Sequence, residues 1–265
     1  MNEDLIEELA IYSKDPLGFV LFAFPWGETG TELEKHSGPE LWQIEILSKL
    51  RDGLIDVKTA IRLAVTSGHG IGKSALVAWL ILWAISTFED TIGVVTANTE
   101  TQLKTKTWVQ LAKWYRLFIG KDLFEMTATK ICSVDPAHKN TWRIDMVPWS
   151  ERNTEAFAGL HNQGKRIILI FDEGSAIPDL IFEVAEGALT DKNTEIIWAV
   201  FGNPTKNKGR FRDCFAGGKF AHRWSQLQVD SRQVSLTDKE QIQEWIDDFG
   251  EDSDFVRVRV RGVFP

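Results

Sequence analysis

The run Ser67-Gly-His-Gly-Ile-Gly-Lys-Ser74 gathers three glycines, a lysine and two hydroxyl residues into eight positions. It lies between a short apolar stretch, Ile61–Val65, and the eleven-residue apolar block Ala75–Ile85. Strand, glycine-rich turn and helix in that order make a phosphate cradle. Small residues let backbone N–H groups point into one concavity at the positive end of a helix. The cradle would be formed by Ser67, Gly68, His69, Gly70, Ile71 and Gly72, with Lys73 reaching β/γ-phosphates and the Ser74 hydroxyl ligating Mg²⁺. The usual pattern opens on glycine where this chain has Ser67.

A second run, Arg166-Ile-Ile-Leu-Ile-Phe-Asp-Glu173, places two acids after five apolar residues. Such a run reads as a strand buried on both faces of a parallel sheet, its carboxylates opening onto the crevice where α/β sheets bind ligands. Asp172 is expected to hold Mg²⁺ through its water shell, because Mg²⁺ dehydrates reluctantly. Glu173 is expected to orient and deprotonate an attacking water. The immediate Asp-Glu pair points to hydrolysis of ATP rather than to simple nucleotide binding. A third strand, Ile196–Phe201, runs into Gly202-Asn203-Pro204-Thr205. The Asn203 amide would then stand near the terminal phosphate and sense it. Upstream, Gln43 in Pro39–Leu47 can offer adenine both an acceptor and a donor. Beyond Asn203, Lys206, Lys208, Arg210 and Arg212 fall within seven residues, with Phe211 among them, and could grip a phosphate backbone.

The elements that must position these groups alternate from Arg62 onward. Strands are expected at Ile61–Thr66, Ile92–Ala97, Thr141–Val147, Ile167–Phe171 and Ile196–Phe201, and helices at Lys73–Phe88, Thr99–Phe118 and about Pro178–Leu189. Alternation of this kind implies a parallel sheet with right-handed crossovers. Residues 1–60 read mainly as helices, Leu5–Tyr12 and Pro39–Leu50, around an aromatic segment, Phe19–Gly30, without a clear period. Lys239–Phe249 reads as an acidic helix, and Phe255–Val263 alternates valine with arginine. The expected division is a helical segment 1–60 belonging to the ATPase domain, a P-loop core 61–210, and a lid or linker 211–265.

The 265 residues are 43% hydrophobic and 26% charged, with a formal net charge of −8. That sign excludes a generic polyanion binder, so any nucleic-acid contact must come from a local patch. Cys132 and Cys214 give no disulfide framework and suggest a reducing compartment. Cys132, Asp135 and His138 form too loose a trio to count as a metal site. No signal peptide is expected from the acidic N-terminus, and Ala75–Ile85 is too short to cross a membrane, which takes about 20 apolar residues. The eleven tryptophans, scattered over the expected elements, read as core packing.

In order along the chain, Pro39…Trp42-Gln43, Ser67–Ser74, Val94–Thr101 with Gln102, Asp172-Glu173 and Gly202-Asn203-Pro204 resemble the ATPase domain of the large terminase subunit, the DNA-packaging motor of tailed phages. The resemblance spans about residues 20–265. It implies an α/β P-loop NTPase of the RecA-like (ASCE) type, a parallel sheet flanked by helices with a small helical lid. It implies ATP and Mg²⁺ as ligands and hydrolysis coupled to translocation of double-stranded DNA into a procapsid. It further implies a small terminase subunit, a portal protein and a homo-oligomeric ring as partners, with no membrane. The place would be the cytoplasm of the infected bacterium, with the protein not retained in the virion. The tail Arg257–Pro265 resembles the family's exit into a nuclease domain, which this chain lacks, so the chain reads as a fragment without nuclease activity. Some relatives carry an arginine inside the P-loop; here Gly68, His69, Gly70 and Ile71 stand there. The missing charge is expected from a neighbouring subunit, with Arg152 the first candidate and Arg143 the second. Two rival readings are a helicase-like ATPase, which would need a second lobe, and an ATP-gated ring module with negligible turnover alone.

Overall fold

The computed structural model describes residues 3–55, 60–97, 99–149, 157 and 159–265. The two apolar runs that flank the glycine loop take the forms their patterns dictate. Ile61–Ser67 is strand β1, and Lys73–Ser86 is helix α4, buried without interruption from Leu76 to Ser86. A helix apolar on every side must be enclosed. Three N-terminal helices help to enclose it: α1 (Glu3–Ile11), α2 (Pro16–Ala23) and α3 (Leu41–Ile55). The aromatic segment without a period contains α2. Pro16 opens it, and the Asp15 side chain accepts from Gly18 N at its start. Its apolar residues are spread around the helix, so no amphipathic stripe betrays it.

Eight strands form one sheet in the order β3-β4-β5-β2-β6-β7-β1-β8. After β1 come β2 (Ile92–Thr96), β3 (Phe124–Met126), β4 (Lys130–Ser133), β5 (Arg143–Met146), β6 (Arg166–Phe171), β7 (Glu195–Gly202) and β8 (Ser225–Val229). The run from β5 to β8 in that order is parallel, and β3 and β4 add an antiparallel edge. Strands β6 and β7 are buried at every position, as a sheet covered on both faces requires. Strand β8 pairs with β1, so the sheet itself reaches into the stretch 211–265 expected to be lid and linker alone. The later helices are α7 (Asp179–Ala185), the single turn α8 (Arg210–Asp213), α9 (Lys239–Phe249) and α10 (Asp254–Arg259). The last two share a small core of Ile242, Val256 and Val260. The alternating valines and arginines thus end in a short helix capped by Ser253, whose hydroxyl accepts from Val256 N.

The helix expected over Thr99–Phe118 is built in three pieces. Glu100–Gln102 (α5) passes through a π-helical turn, Leu103–Thr107, into Trp108–Leu117 (α6). Tryptophans do fill the cores: Trp26, Trp79 and Trp114 interlock with Phe24 on one face of the sheet, and Trp198 with Phe171, Phe182 and Trp224 on the other. At the start of β6 the guanidinium of Arg166 is wholly buried. It pairs with Glu195 at 2.5 Å, donates to Ala84 O, Thr87 Oγ1 and Ser13 O, and lies over the Trp83 ring. Each of its three nitrogens thereby has a partner, which is what a buried charge demands. Arg166 anchors the edge of the sheet opposite the glycine loop.

Candidate active site

Register decides what meets at the other edge. Thr66 pairs with Gly202, Phe171 with Val200, and Thr96 with Phe171, so β1, β7, β6 and β2 end together. Ser67, Asp172 and Asn203 therefore emerge side by side although far apart in sequence. Strand β7 lies between the glycine loop and Asp172, which puts Asn203 between them as well. Its Nδ2 donates to Ser67 O at 2.6 Å, and its carbonyl accepts from Ser175 Oγ. In this state the Asn203 amide ties β7 to the loop.

The loop itself explains its departure from the usual pattern. Left-handed backbone is needed at Gly70 (φ +76°) and Gly72 (φ +85°), not at position 67. Ser67 is buried as the last residue of β1, and its Oγ accepts from Lys73 Nζ at 2.9 Å. The hydroxyl so holds the lysine within the loop. Gly68 is required for another reason: a Cβ there would collide with Val260 O and lie 2.7 Å from Arg259 O. The tail has folded onto the loop. His69 N donates to Arg259 O at 2.8 Å, Gly68 N to Val229 O at 3.1 Å, and Ser231 Oγ to His69 O at 2.8 Å. The N–H groups of Gly68 and His69 are thus spent inside the protein. The phosphate donors left to the cradle are those from Gly70 through Ser74, at the start of α4.

Helix α3 braces the same loop from behind. Trp42 Nε1 donates to Ile71 O at 3.0 Å, and Gln43 Nε2 to Gly72 O at 3.1 Å. Gln43 Oε1 accepts from Glu40 N at 2.8 Å, so both ends of the amide expected to read adenine are engaged within the chain. Gln43 borders a cleft lined also by Trp26, Leu33, Ala75, Trp79 and Leu236, with apolar walls suited to a planar base.

Asp172 is buried, with Oδ2 accepting from Thr107 Oγ1 at 2.7 Å and Oδ1 from Glu173 N at 3.0 Å. Burial, and next the charge of Glu173, raise its pKa above the usual carboxylate value. Burial lowers the pKa of Lys73, opposed by the charges of Glu173 and Asp172. Glu173 takes a left-handed conformation (φ 57°, ψ 44°), turning the chain sharply off the strand. The donor set fits a magnesium–phosphate group. A desolvated carboxylate gains from a cation, Ser74 stands at the start of α4, and Thr96 Oγ1, beside Asp172, is buried without a partner among the described residues.

His69 is the rim of the site. Its side chain is exposed to solvent on one side; crowding by the protein on the other and then the charges of Lys73, Arg259 and Lys106 lower its pKa, so the ring is neutral at pH 7. Its Nε2 meets Arg259 Nη1 at 3.1 Å. Neither Thr107 nor Arg259 was singled out from sequence. The first lies within the helix expected over Thr99–Phe118, and the second within the valine–arginine alternation, neither of which marks a single residue.

The four downstream cations divide. Lys206 and Lys208 are exposed. Arg210 is buried, paired with Glu186 at 2.8 Å and stacked on Phe220, which corrects its expected place in a DNA grip. Arg212 lies over Phe264 and donates to Ala216 O at 3.0 Å, so its guanidinium also holds the fold. Arg143 pairs with Asp145 at 2.9 Å and sits opposite Ile92, at the far edge from Asp172. Arg152 lies outside the described residues. Among the described residues no helix is long and apolar enough to cross a membrane.

No protein-family model matches the chain. A curated protein of Enterobacteria phage P7, named "Probable terminase, large subunit", is 27% identical over 213 residues, 76% of this chain and 42% of that protein. The large terminase of a thermophilic bacteriophage, solved with ADP, superposes with a TM-score of 0.62 at 13% identity, over 85% of this chain and 53% of that one. The ATPase domain of the Thermus phage P74-26 large terminase gives 0.58 at 16% identity, over 84% of this chain and 92% of that one. The chain thus spans about half the length or less of the first two. The mostly parallel sheet with its glycine loop is a RecA-like P-loop fold. In sequence the chain is similar to a phage terminase large subunit, and in fold to the ATPase domains of phage large terminases.

Proposed function

We propose that this chain is the ATP-hydrolysing motor domain of a viral DNA-packaging terminase, coupling MgATP hydrolysis to movement of double-stranded DNA into a procapsid. The observation that carries the reading is the convergence of Lys73, Asp172, Glu173 and Asn203 at one sheet edge, around unspent N–H groups at the start of α4. Lys73, Ser74 and the N–H groups from Gly70 onward bind the phosphates; Asp172 with Ser74 would hold Mg²⁺. Held there, the ion would supply charge neutralisation to the phosphates. Glu173 orients the water and takes its proton. The base lies in the cleft beside Gln43, which keeps the loop in shape by holding Gly72 O. Asn203, linked to both Ser67 and Ser175, is placed to pass a change at the loop to the segment after β7.

The reading carries with it a homo-oligomeric ring, a small terminase subunit, a portal protein and the cytoplasm of an infected bacterium, outside the finished virion. Its support is the likeness to phage terminases, together with a hydrolytic Asp-Glu pair beside a lysine loop. The deciding measurement is ATP turnover by the parent chain with and without duplex DNA, beside Glu173→Gln. Turnover that is lost in Glu173→Gln while MgATP binding persists supports the reading. Parental turnover in that variant removes Glu173 from the role of base, and no nucleotide binding by the parent chain removes the reading as a whole.

A further inference from the structure

Lys106 is used by no step above. It belongs to the π-helical turn Leu103–Thr107, one residue before the Thr107 hydroxyl that bonds Asp172 Oδ2 at 2.7 Å. A π-turn inside an α-helix shifts the register of the residues after it, and such turns gather at functional sites. Thr107, the last residue of that turn, faces the buried carboxylate, so the backbone carrying Lys106 is tied beside the expected metal position. The Lys106 side chain is exposed. Among the described residues it meets no carboxylate at ion-pair distance, whereas Lys104 on the same helix pairs with Glu100 at 2.5 Å and Lys113 with Glu32 at 3.2 Å. Burial does most to lower the pKa of Lys73 and of His69, and the charge of Lys106 adds the smallest contribution to each. Lys73 lies in the loop, Arg259 meets His69 at 3.1 Å, and Lys106 follows the backbone tied to Asp172 through Thr107, so like charges surround one site, an arrangement that an incoming polyanion relieves.

We propose that Lys106 is a catalytic cation supplied in cis, which contacts the terminal phosphate of a bound nucleoside triphosphate from the α5–α6 side. The inference rests on the ATPase reading and adds a residue to it. Lysine suits the place, because its ammonium is a compact charge with three donors on a flexible stem. Lys106 gives up no proton in the step. The water oxygen bonds to the γ-phosphorus, the bond to the bridging oxygen breaks with its electrons leaving on ADP, and the water's proton goes to Glu173. The ammonium meets the charge that spreads over the γ-oxygens. The loop has no arginine of its own, so the site gains a cation without a neighbouring subunit.

Equilibrium binding of ADP and of ATP-γ-S, each with Mg²⁺, tests this on the parent chain, Lys106→Ala, Lys106→Arg and Lys104→Ala. Losing a charge-assisted contact to the γ-phosphate costs ATP-γ-S about tenfold or more in affinity. ADP affinity should stay at the parental value, because ADP lacks the group contacted. Lys106→Arg should restore the preference for ATP-γ-S, and Lys104→Ala should behave as the parent. A Lys106→Ala chain that binds ADP and ATP-γ-S as the parent does, or loses both equally, overturns the assignment while leaving the ATPase reading intact. A parent chain that binds neither nucleotide overturns both.

Discussion

Glu173 is held in left-handed backbone, one residue past the end of β6. For a residue with a Cβ that conformation costs of the order of 1–3 kcal/mol, and it persists where the surroundings impose it. The turn it makes is what separates the two acids. Asp172 stays in the buried wall, while Glu173 is displaced toward the loop, where its charge is the foremost one acting on Lys73. Their roles should therefore part on substitution. Lys73→Ala should lose ATP affinity together with turnover, because the ammonium contacts ground-state phosphates. Glu173→Gln should lose turnover alone, as nucleotide titration beside a phosphate-release assay will show. Asp172 makes a prediction in pH. Its folded pKa is raised, so its contribution to stability is largest below the unfolded value and is lost as pH rises through the folded value. Without Mg²⁺, Asp172→Asn should melt above the parent at about pH 8, with the advantage shrinking toward about pH 4. Adding Mg²⁺ with nucleotide should raise the parent's melting temperature more than the variant's. A variant that melts below the parent at every pH would show that the carboxylate does not strain the fold.

Four elements hold the glycine loop, each by a bond to the loop's own backbone atoms. Helix α3 takes the carbonyls of Ile71 and Gly72, Asn203 at the exit of β7 takes that of Ser67, Val229 at the end of β8 takes the N–H of Gly68, and Arg259 at the end of α10 takes that of His69. The tail contact is the closest, since a Cβ on Gly68 would overlap Ser231 Oγ as well as two carbonyls. Gly68→Ala should push residues 259–260 off the loop and destabilise the chain by roughly 1–3 kcal/mol, the usual cost of overpacking. Thermal melts measure it, and an unchanged melting temperature would mean that the tail yields freely. Thr107 belongs to the same scale, because the π-turn places it. Thr107→Val keeps the shape but leaves Asp172 Oδ2 without its donor, a loss of about 1.5–3 kcal/mol for a bond to a charged group. Thr107→Ser should recover stability and turnover together, and a valine variant equal to the parent in both would remove Thr107 from the site.

At the scale of the whole molecule the net charge of −8 opposes DNA, and two of four candidate cations are committed to the fold. Arg210 and Arg212 join β7's exit to Glu186, Phe220 and Phe264, leaving Lys206 and Lys208 as the exposed pair. Neutralising both lysines should flatten the slope of log K against log salt by up to about 1.8, at roughly 0.9 per phosphate contact. ATP affinity should not move. The salt slope on two unrelated duplexes decides this, and an unchanged slope would put the DNA grip elsewhere. Assembly adds a further test. Mixing Arg152→Ala chains with Glu173→Gln chains should restore turnover if Arg152 acts on a neighbour's site, since an arginine finger is worth roughly 10³–10⁵ in rate. Mixtures no more active than either variant alone would remove Arg152 from that role.

What the chain's order of residues determined by itself were the features that local chemistry enforces. Strand, glycine turn and helix around Ser67–Ser74, the doubly buried strand ending in Asp172, and the strand ending in Asn203 all come from short apolar runs and from residue types at fixed offsets. Neighbours along the chain set those signals. Tertiary structure decided which distant backbone came to rest against the loop. Nothing local in Phe255–Val263 says that its carbonyls will meet Gly68 and His69, or that Arg259 will reach His69. Nor does the exposed lysine pattern of Lys104 and Lys106 foretell a π-turn that ends at Thr107, bonded across to Asp172. Arg210 reads as a surface cation until Glu186 and Phe220 enclose it. In these cases the deciding partner stands across the sheet or on another element, where spacing carries no information; the physical cause is packing and the satisfaction of buried polar groups.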